Sequence, residues 1–371
     1  MYLHVYLLMK KPNLVLTSDW HLERAAWAKH PTLTGDSYYS VRQIIQYAMD
    51  NRVSAVLAAG DLFDKPTPDS NSVGVAIEAV SRLATADIPL YFTQGQHEKV
   101  RGEPWFSVAG ANYAHKQLLD LDGVIVYGLD YTRPDILKEE IANIPESANL
   151  LMMHQVWRNF MGELRTTDGD FEMLPPVDLI LTGDFHKALI YNKNDIKAVS
   201  PGSICMQSID EESSKSFFVL NDDFSISKIP LKARKVFRYI INSEYDLQKF
   251  LDVQIKEAQE FQEDVPDYVQ KNIVDVKYNM DLNNVFIRLT KHVGDRVHLF
   301  MRALHQNKEE VSIDRAERQK IIQAGLGGSL KLLCKPDSEL YKSSLRMLES
   351  NDPAHELQRM YFEKLGREIT K

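Results

Sequence analysis

Leu14-Val-Leu-Thr-Ser-Asp-Trp-His-Leu22 is the stretch from which the fold of this chain is predicted. A short aliphatic run that stops at polar residues is typical of a buried strand. Because side chains alternate along a strand, Asp19 and His21 should point the same way at its carboxyl end, where open α/β sheets bind ligands. A carboxylate and an imidazole at one point suit a divalent metal. Taken alone, the pair is explained more simply by a helix-capping aspartate and a histidine bonded to the backbone.

Length and composition fit a globular protein of two domains. The chain has 371 residues, of which 44% are hydrophobic and 26% are charged. Its two cysteines, Cys205 and Cys334, lie far apart, which indicates a reducing compartment without a disulfide framework. The formal net charge of −8 argues against a general nucleic-acid coat. It does not argue against a nuclease, because metal-site carboxylates add negative charge and DNA contact needs only a local basic stripe.

Nothing in the sequence predicts membrane insertion or export. No apolar run approaches the roughly 20 residues that span a bilayer. Residues 1–8 are apolar but lack a basic leader and a small-residue cleavage site, so they do not predict a signal peptide. We therefore expect a cytoplasmic protein with no membrane partner.

Four further predicted strands end in polar residues of metal-binding type. Val53–Ala59 is followed by Gly60-Asp61, Ile88–Phe92 by Gly95-Gln96-His97-Glu98, Leu150–Met153 by His154, and Val177–Leu181 by Gly183-Asp184-Phe185-His186. Helical patterns at residues 38–51 and 72–84 alternate with the early strands, which indicates α/β layers around a parallel or mixed sheet. One polar strand end is common, but a series of them at one sheet edge is unexpected by chance. The series favours the metal interpretation of Asp19 and His21.

The order Asp-x-His, Gly-Asp-x-x-Asp, Gly-x-His-Glu, His and Gly-x-x-His resembles the calcineurin-like metallophosphoesterase signature. Within that superfamily the chain is most similar to the SbcD-type recombination nucleases, the nuclease subunits of double-strand-break repair complexes. Gly60-Asp61-Leu-Phe-Asp64, Ser200-Pro-Gly-Ser203 and a following second domain favour this branch. The motifs cover residues 13–231, and beyond them the resemblance rests on domain order.

The resemblance implies an α/β fold, a metallophosphoesterase β-sandwich flanked by helices, with a small α/β capping domain and a C-terminal helical tail. We expect the nuclease domain at residues 1–231 and a capping, DNA-recognition domain at residues 232–292. Residues 293–371 should form a helical region, which the resemblance implies binds an ATPase partner. The alternative to partner binding is that the apolar faces of these terminal helices pack on their own domain.

Residues 232–305 predict the elements of the second domain. Strands are expected at Val236–Ile241, Ile273–Tyr278 and Val285–Leu289, and helices at Tyr245–Glu263 and Asp295–His305. We expect a basic run at the start of this domain to bind DNA, and a solvated strand edge explains it equally well. That run consists of Lys232, Arg234, Lys235 and Arg238.

By residue-for-residue transfer, the resemblance implies two metal ions bridged by Asp61. One ion would be bound by Asp19, His21, Asp61 and His186, and the other by Asp61, Gln96, His154 and Asp184. A bridging carboxylate can hold two ions roughly 3.5–4 Å apart, a spacing suited to in-line phosphoryl displacement. His97 is implied as the catalytic residue that stabilises the transition state or protonates the leaving 3′ oxygen. A metal ligand or a structural histidine is the alternative for His97.

Two positions depart from the family pattern, which has Asn at position 96 and His at position 184. Gln96 keeps the amide oxygen but is longer by one methylene, and Asp184 replaces a neutral nitrogen with a charged oxygen. The second ion then has a more oxygen-rich and more negative set of ligands, which favours Mn(II) or Mg(II) over softer ions. The resemblance implies two Mn(II) ions, with Mg(II) as the alternative. Glu98 is expected to orient His97 or its loop. No direct role is expected for three other aspartates, Asp64, Asp130 and Asp178. Asp178 should be a buried capping residue.

The resulting hypothesis is a Mn-dependent DNA nuclease, a 3′→5′ exonuclease and endonuclease of DNA repair and recombination. The resemblance implies double-stranded DNA ends as substrate, a homodimer, and an SbcC-like ABC-type ATPase with a coiled coil, giving a heterotetramer. Two alternatives stay open. One is a calcineurin-like phosphodiesterase acting on a small nucleotide or a phosphoprotein, against which the second domain and the tail argue. The other is a catalytically weak scaffold that tethers DNA ends, which only positions 96 and 184 support.

Overall fold

A computed structural model describes residues 13–22, 33–100, 102–161, 169–193, 196–279 and 282–304, together with Lys342. The chain divides into two compact units, Met1–Leu304 and His305–Lys371. The predicted C-terminal helices and the first twelve residues lie outside the described residues, apart from Lys342.

The first unit alternates strands and helices over most of its length. Its strands are β1 Leu14–Thr17, β2 Ala55–Ala59, β3 Leu90–Thr93, β4 Asn112–Tyr113, β5 Leu118–Leu121, β6 Val124–Leu129, β7 Leu150–His154, β8 Leu179–Gly183, β9 Leu189–Lys193, β10 Ile196–Ser200, β11 Lys215–Leu220, β12 Ile226–Leu231, β13 Val236–Ile241, β14 Ile273–Tyr278 and β15 His298–Ala303. Its α-helices are α1 Asp36–Asp50, α2 Ser70–Ala84, α3 Trp105–Val108, α4 Pro134–Ala142, α5 Arg158–Met161, α6 Glu244–Lys249, α7 Ile255–Ala258, α8 Asp267–Gln270 and α9 Leu282–Val293. Within the described ranges, no helix is both long enough and apolar enough to cross a bilayer.

Two six-stranded sheets form the larger part of this unit. Their strand orders are β12-β11-β1-β2-β3-β4 and β5-β6-β7-β8-β10-β9. In the first sheet β1 to β4 run parallel, and in the second β6, β7, β8 and β10 run parallel. Antiparallel strands complete both sheets at their edges. Parallel strands end at one edge of a sheet, so β1 and β2 end at one edge of the first sheet, and β7 and β8 at one edge of the second. The polar strand ends therefore come from two sheets, not from the one sheet edge that the sequence predicted.

The two sheets pack face to face, and helices cover their outer faces. Leu14 and Leu16 lie in the core between the sheets, whereas Val15 packs with the residues of α1 and α2 on the other face of β1. The outer face of the second sheet packs against α4, through Leu137 and Ile141. A strand buried on both faces needs a nearly continuous apolar run, which is why residues 14–16 are all aliphatic. The predicted β-sandwich flanked by helices is confirmed.

The third sheet has the order β13-β14-β15, with all strands parallel. Its first crossover is helical from Glu244 to Ala258, including a π-helical turn, so the predicted helix is confirmed but ends earlier. The predicted strand Val285–Leu289 is wrong, because these residues belong to α9. Leu289 and Val293, four residues apart, are both buried, which is a helical spacing. A short apolar run does not distinguish a strand from a buried helix.

The predicted helix Asp295–His305 is also wrong, since residues 298–303 form strand β15. This strand pairs with β14 from Ile273↔His298 to Tyr278↔Ala303. Helix α9 supplies the crossover that two neighbouring parallel strands require. The third sheet therefore gains its third strand from a segment that local pattern assigned to a helix.

Arg234 joins the third sheet to the first helix of the sandwich. It is 4% exposed, and its guanidinium is ion-paired with Asp36 at 2.9 Å. It also donates to the carbonyl oxygens of Lys271 at 2.6 Å and Tyr268 at 2.7 Å. The prediction that Arg234 contacts DNA does not fit this position, because its donors are used inside the protein. The other three basic residues are exposed: Lys232, Lys235 and Arg238.

Candidate metal centre

The carboxyl ends of β1, β2, β7 and β8 place histidines and carboxylates within a few ångströms of one another. His154 Nε2 lies 3.2 Å from Asp61 Oδ2, and His21 Nε2 lies 3.8 Å from the same oxygen. His186 Nε2 lies 3.7 Å from Asp19 Oδ1. All five side chains except that of His186 are essentially inaccessible, and His186 is 27% exposed. The arrangement concentrates negative charge and imidazole nitrogens in a buried pocket.

The backbone at these strand ends is strained. Asp19, His21, Asp61 and Asp184 all have positive φ, between 41° and 72°. Such a conformation costs on the order of 1–3 kcal/mol per non-glycine residue and persists only where the surroundings impose it. Two backbone hydrogen bonds hold the ends of β1 and β2 together, from Asp19 N to Gly60 O at 3.0 Å and from His21 N to Asp61 O at 2.9 Å. The fold therefore fixes the positions of these side chains in advance of any ligand.

Three glycines leave room for the polar side chains. A Cβ atom on Gly60 would lie 2.5 Å from His154 Nδ1, and one on Gly183 would lie 2.4 Å from the same atom. A Cβ atom on Gly95 would lie 2.0 Å from Asp61 Oδ1. These distances are far below van der Waals contact. The glycines of the Gly-Asp and Gly-x-His motifs are thus required sterically by the site itself.

Carboxylates orient two of the histidines. His21 Nδ1 lies 3.1 Å from Asp64 Oδ1, and His186 Nδ1 lies 3.1 Å from Glu211 Oε1. A carboxylate only accepts, so each Nδ1 donates to its carboxylate and each Nε2 is the nitrogen that faces into the pocket. The two Nε2 atoms lie 3.3 Å apart, a separation at which they can share a proton or bind one cation.

His154 and Asp61 show the same arrangement at the next strand end. His154 Nδ1 donates to Ala59 O at 2.7 Å, so Nε2 is the ring nitrogen that faces Asp61 Oδ2 and that a metal ion could bind in place of a proton. Among the described residues, neither of these buried atoms has a hydrogen-bond partner. Burying unpaired polar atoms is costly. Two ligand atoms about 2.1 Å from one octahedral ion lie roughly 3 Å apart, so the 3.2 Å separation suits a shared divalent ion.

The charge of the pocket favours a cation. Burial alone disfavours a charged imidazole, yet the carboxylates of Asp61 and Asp19 raise the pKa of His154 above its usual value. Burial likewise opposes ionisation of Asp61, but the adjacent histidines, His154 foremost, lower its pKa. The field that attracts a proton to this site equally attracts a metal ion.

Gln96 and Asp184, the two departures from the family pattern, contact each other. The Gln96 amide nitrogen donates to Asp184 Oδ1 at 2.7 Å. The backbone N–H of Asp184 donates to both oxygens of Asp19, at 3.1 and 3.2 Å. Burial raises the pKa of Asp184, which His154 and Gln96 partly offset. The two substitutions therefore act as a pair beside the pocket.

Three groups of described residues have ligand atoms that lie mutually within 4.8 Å. They are Asp19-His21-His186, Asp19-Asp61-His154 and His21-Asp64-His97. The structure thus brings five of the predicted ligands into close mutual contact. Gln96 and Asp184 lie at the margin, and their side chains bond to each other.

His97 lies at the open side of the pocket. Its side chain is 41% exposed, and its Nε2 is 3.9 Å from Asp61 Oδ2. Its backbone N–H donates to Asp61 Oδ1 at 3.0 Å, and its ring packs edge-on against His21 at 5.1 Å. An exposed imidazole beside the carboxylate can reach a substrate that covers the pocket. Its place in the group with His21 and Asp64 keeps the metal-ligand alternative open.

Two acidic residues hold the loop after β3. Glu98 is buried and accepts from Phe63 N at 3.0 Å and Gly95 N at 3.3 Å. Burial, with the neighbouring Asp61, raises the pKa of Glu98 to about 8. Asp130 accepts from Gln94 N at 2.8 Å. Glu98 therefore orients the loop, one of the two roles expected for it.

Asp64 and Glu211 have roles that the sequence did not reveal. Asp64 had no expected direct function, and Glu211 had no prediction at all, yet each holds a histidine of the pocket. The only local signal for Glu211 is a lysine four residues later, Lys215, with which it is ion-paired at 2.8 Å. The prediction that Asp178 is buried is wrong, because its side chain is exposed.

Residues 12–188 match the family model of the calcineurin-like phosphoesterases. This part of the chain is a calcineurin-like metallophosphoesterase domain, of a family of hydrolases that use divalent metals. The fold and the pocket described above agree with that class.

The chain is similar to curated DNA double-strand break repair proteins. It is 28% identical over 227 residues to the DNA double-strand break repair protein Mre11 of Methanosarcina acetivorans, a match that covers 56% of this chain and 36% of that protein. With Mre11 of Methanococcus maripaludis it shares 25% identity over 257 residues, which cover 58% of this chain and 67% of the relative. The chain spans little more than a third of the Methanosarcina acetivorans protein.

Mn(II) is expected to raise the thermal stability of the metal-free protein. At 100 times its Kd, a ligand of the folded state stabilises it by about 2.7 kcal/mol per site. For a unit of this size we expect a rise in Tm of about 5–10 °C, reversed by EDTA. Differential scanning fluorimetry of the EDTA-treated protein measures it, with Asp135→Asn, an exposed residue outside the pocket, as a control. A Tm that saturating Mn(II) leaves unchanged would contradict a preformed metal centre.

Proposed function

We propose that this chain is a metal-dependent DNA nuclease that hydrolyses phosphodiesters with two divalent ions, Mn(II) in preference to Mg(II). Asp19, His21, Asp61 and His186 would bind one ion, and Asp61, Gln96, His154 and Asp184 the other. The observation that carries the proposal is the pair of buried, unpartnered atoms Asp61 Oδ2 and His154 Nε2, 3.2 Å apart. The relatives named as DNA double-strand break repair proteins support DNA as the substrate.

The residues of the pocket have distinct parts in this proposal. When bound, the two ions would supply an activated water and would polarise the phosphodiester. Asp61 would bridge them, and the neutral Nε2 atoms of His21, His154 and His186 would complete the ligand set. Asp64 orients the His21 ring through its Nδ1 atom. Asp61 faces only the Nε2 atom of that ring, the atom that would bind the ion.

His97 would act on the substrate itself. Its exposed imidazole lies beside Asp61, where it can donate a hydrogen bond to a phosphate oxygen or a proton to the leaving 3′ oxygen. A general acid of this kind contributes roughly 10²–10⁴-fold to the rate.

We expect His97→Ala to lower the rate of DNA hydrolysis by about 10²–10⁴-fold while both ions still bind. Hydrolysis is measured under saturating Mn(II), and ion number by isothermal titration calorimetry. His115→Ala, a partly exposed histidine that accepts from the Asp130 backbone N–H outside the pocket, serves as the matched control. Loss of one ion in His97→Ala would instead assign His97 as a metal ligand.

The substrate is tested by comparing linear duplex DNA with a small chromogenic phosphodiester, bis-p-nitrophenyl phosphate. Duplexes labelled at the 3′ or the 5′ end report exonuclease polarity, and closed circular DNA reports endonuclease activity. Hydrolysis of the small substrate without DNA cleavage would favour a phosphodiesterase of small nucleotides or phosphoproteins. DNA binding without either activity would favour a scaffold.

Three further parts of the proposal concern assembly. The predicted boundary at residue 293 is corrected to about residue 305, because β15 belongs to the third sheet. Residues 232–304 would act as the capping domain, with DNA contact by Lys232, Lys235 and Arg238. Residues 305–371 would bind an SbcC-like ABC-type ATPase with a coiled coil, and two copies of this chain with two copies of the ATPase would form a heterotetramer. The relatives' names support only DNA repair, and the assembly rests on the predicted domain order. Light scattering of the chain alone and with such an ATPase would measure both stoichiometries.

A further inference from the structure

We propose that Glu211 is a positioning residue for His186, and that the third sheet controls it through Arg238 and Arg302. The inference rests on the metal centre proposed above and adds a regulatory connection to it. It concerns the affinity for the ion that Asp19, His21 and His186 would bind.

Glu211 is held firmly where it meets His186. Its Oε1 accepts from His186 Nδ1 at 3.1 Å, and its Oε2 accepts from Lys215 Nζ at 2.8 Å and from Gln207 N at 3.0 Å. Lys215 is only 4% exposed, so moving the Glu211 carboxylate would leave a buried ammonium without its counter-ion. The His186 ring is therefore oriented by a carboxylate that is itself fixed.

The backbone of the same segment is bound by the third sheet. Arg238, on β13, donates from Nη2 to Glu211 O at 2.6 Å and to Ile209 O at 3.1 Å. Arg302, on β15, donates from Nη1 to Asp210 Oδ1 at 2.6 Å. Both arginines thus bind residues 209–211, the segment that carries Glu211.

Arg302 is anchored in turn inside the sheet. Its Nε donates to Asp275 Oδ1 at 3.0 Å, and Asp275 on the middle strand β14 is 1% exposed. A buried carboxylate with a bidentate guanidinium partner is a rigid attachment. The connection therefore runs from Asp275 through Arg302, Asp210 and Glu211 to His186, with a hydrogen bond or covalent backbone at each step.

A displacement of the third sheet would accordingly move the acceptor of His186 Nδ1. Without that acceptor, neither the tautomer nor the orientation of the His186 ring is fixed, which weakens metal binding. A ligand or partner that shifts the third sheet would in this way change the occupancy of one ion without contacting it.

The first test is Glu211→Gln, which keeps the shape of the side chain and removes its charge. Mn(II) titration by calorimetry should show one ion bound about tenfold more weakly, with the other unchanged. Electron paramagnetic resonance of bound Mn(II) should lose the signal of the paired ions at the same concentrations. The control is Glu212→Gln, whose exposed carboxylate pairs with Lys187 at 3.6 Å, and it should bind Mn(II) as the wild type does.

The second test addresses the third sheet. Asp210→Asn and Arg302→Met should each weaken the same ion by about two- to thirtyfold, the range of a 0.5–2 kcal/mol coupling. The double variant should match Arg302→Met, because Arg302→Met already removes the contact with Asp210 as well as the one with Asp275. Arg288→Met is the control, since Arg288 is in the same module but pairs with Glu244. Asp210 is exposed, so this variant decides the question even if Glu211→Gln does not fold.

The outcomes separate this inference from the proposed function. Wild-type Mn(II) affinity in folded Glu211→Gln overturns the positioning role, and wild-type affinity in Asp210→Asn overturns the control by the third sheet. Weakened Mn(II) binding in both variants supports the inference even if neither the variants nor the wild type cleave DNA. That last result would overturn the proposed nuclease alone.

Discussion

Asp61→Asn is expected to reduce phosphodiester hydrolysis by about three orders of magnitude or more. Asp61 lies between the two groups of ligands, with Oδ2 at 3.2 Å from His154 Nε2 and 3.8 Å from His21 Nε2. Asparagine removes the charge that would hold both ions, and its amide can donate to the lone pair of His154. Metal ions supply several kcal/mol of transition-state stabilisation, and each 1.36 kcal/mol is worth about tenfold in rate.

Two measurements check this result. Initial rates on DNA and on bis-p-nitrophenyl phosphate give the loss of activity, and Mn(II) titration should show fewer than two bound ions. Asp135→Asn makes the same chemical change at an exposed position on α4 and should leave both quantities unaltered. If Asp61→Asn binds two ions and keeps activity within tenfold of the wild type, Asp61 does not bridge a dinuclear centre.

The second large effect concerns stability. Arg234→Met is expected to lower the free energy of unfolding by about 3–5 kcal/mol, the cost of removing one partner of a buried ion pair. The change leaves Asp36 without its 2.9 Å partner and leaves the carbonyl oxygens of Lys271 and Tyr268 without a donor. Urea unfolding followed by circular dichroism measures the difference, with exchange of the β13 and β14 amides as a local report.

The neighbouring residue provides the control for this experiment. Lys235 is exposed, and Lys235→Met should change the free energy of unfolding by less than about 0.5 kcal/mol. Combining Arg234→Met with Asp36→Asn should recover part of the loss, because the uncompensated carboxylate is then neutral. Wild-type stability together with weakened DNA binding in Arg234→Met would return this residue to the DNA-binding set.

The sequence alone determined the parts of the fold that depend on local pattern. Residues 14–16 are aliphatic without interruption because β1 is buried on both faces, and alternation along the strand places Asp19 and His21 together. The alternation of strands and helices then predicts parallel pairing, which is found for β1 with β2 and for β7 with β8. The pattern predicted one sheet edge for Asp61, His154 and His186, whereas the structure divides them between two sheets.

Only the tertiary structure decided the rest, because the contacts concerned join residues far apart in the chain. Residues 285–289 form part of a helix and residues 298–303 a strand, since parallel pairing with β14 requires a crossover between them. Arg234 belongs to a basic run by sequence, and burial against Asp36 makes it a structural residue. Asp64 and Glu211 orient histidines 43 and 25 positions away. No local pattern encodes such pairs, because they exist only when the sheets bring distant segments within hydrogen-bond distance.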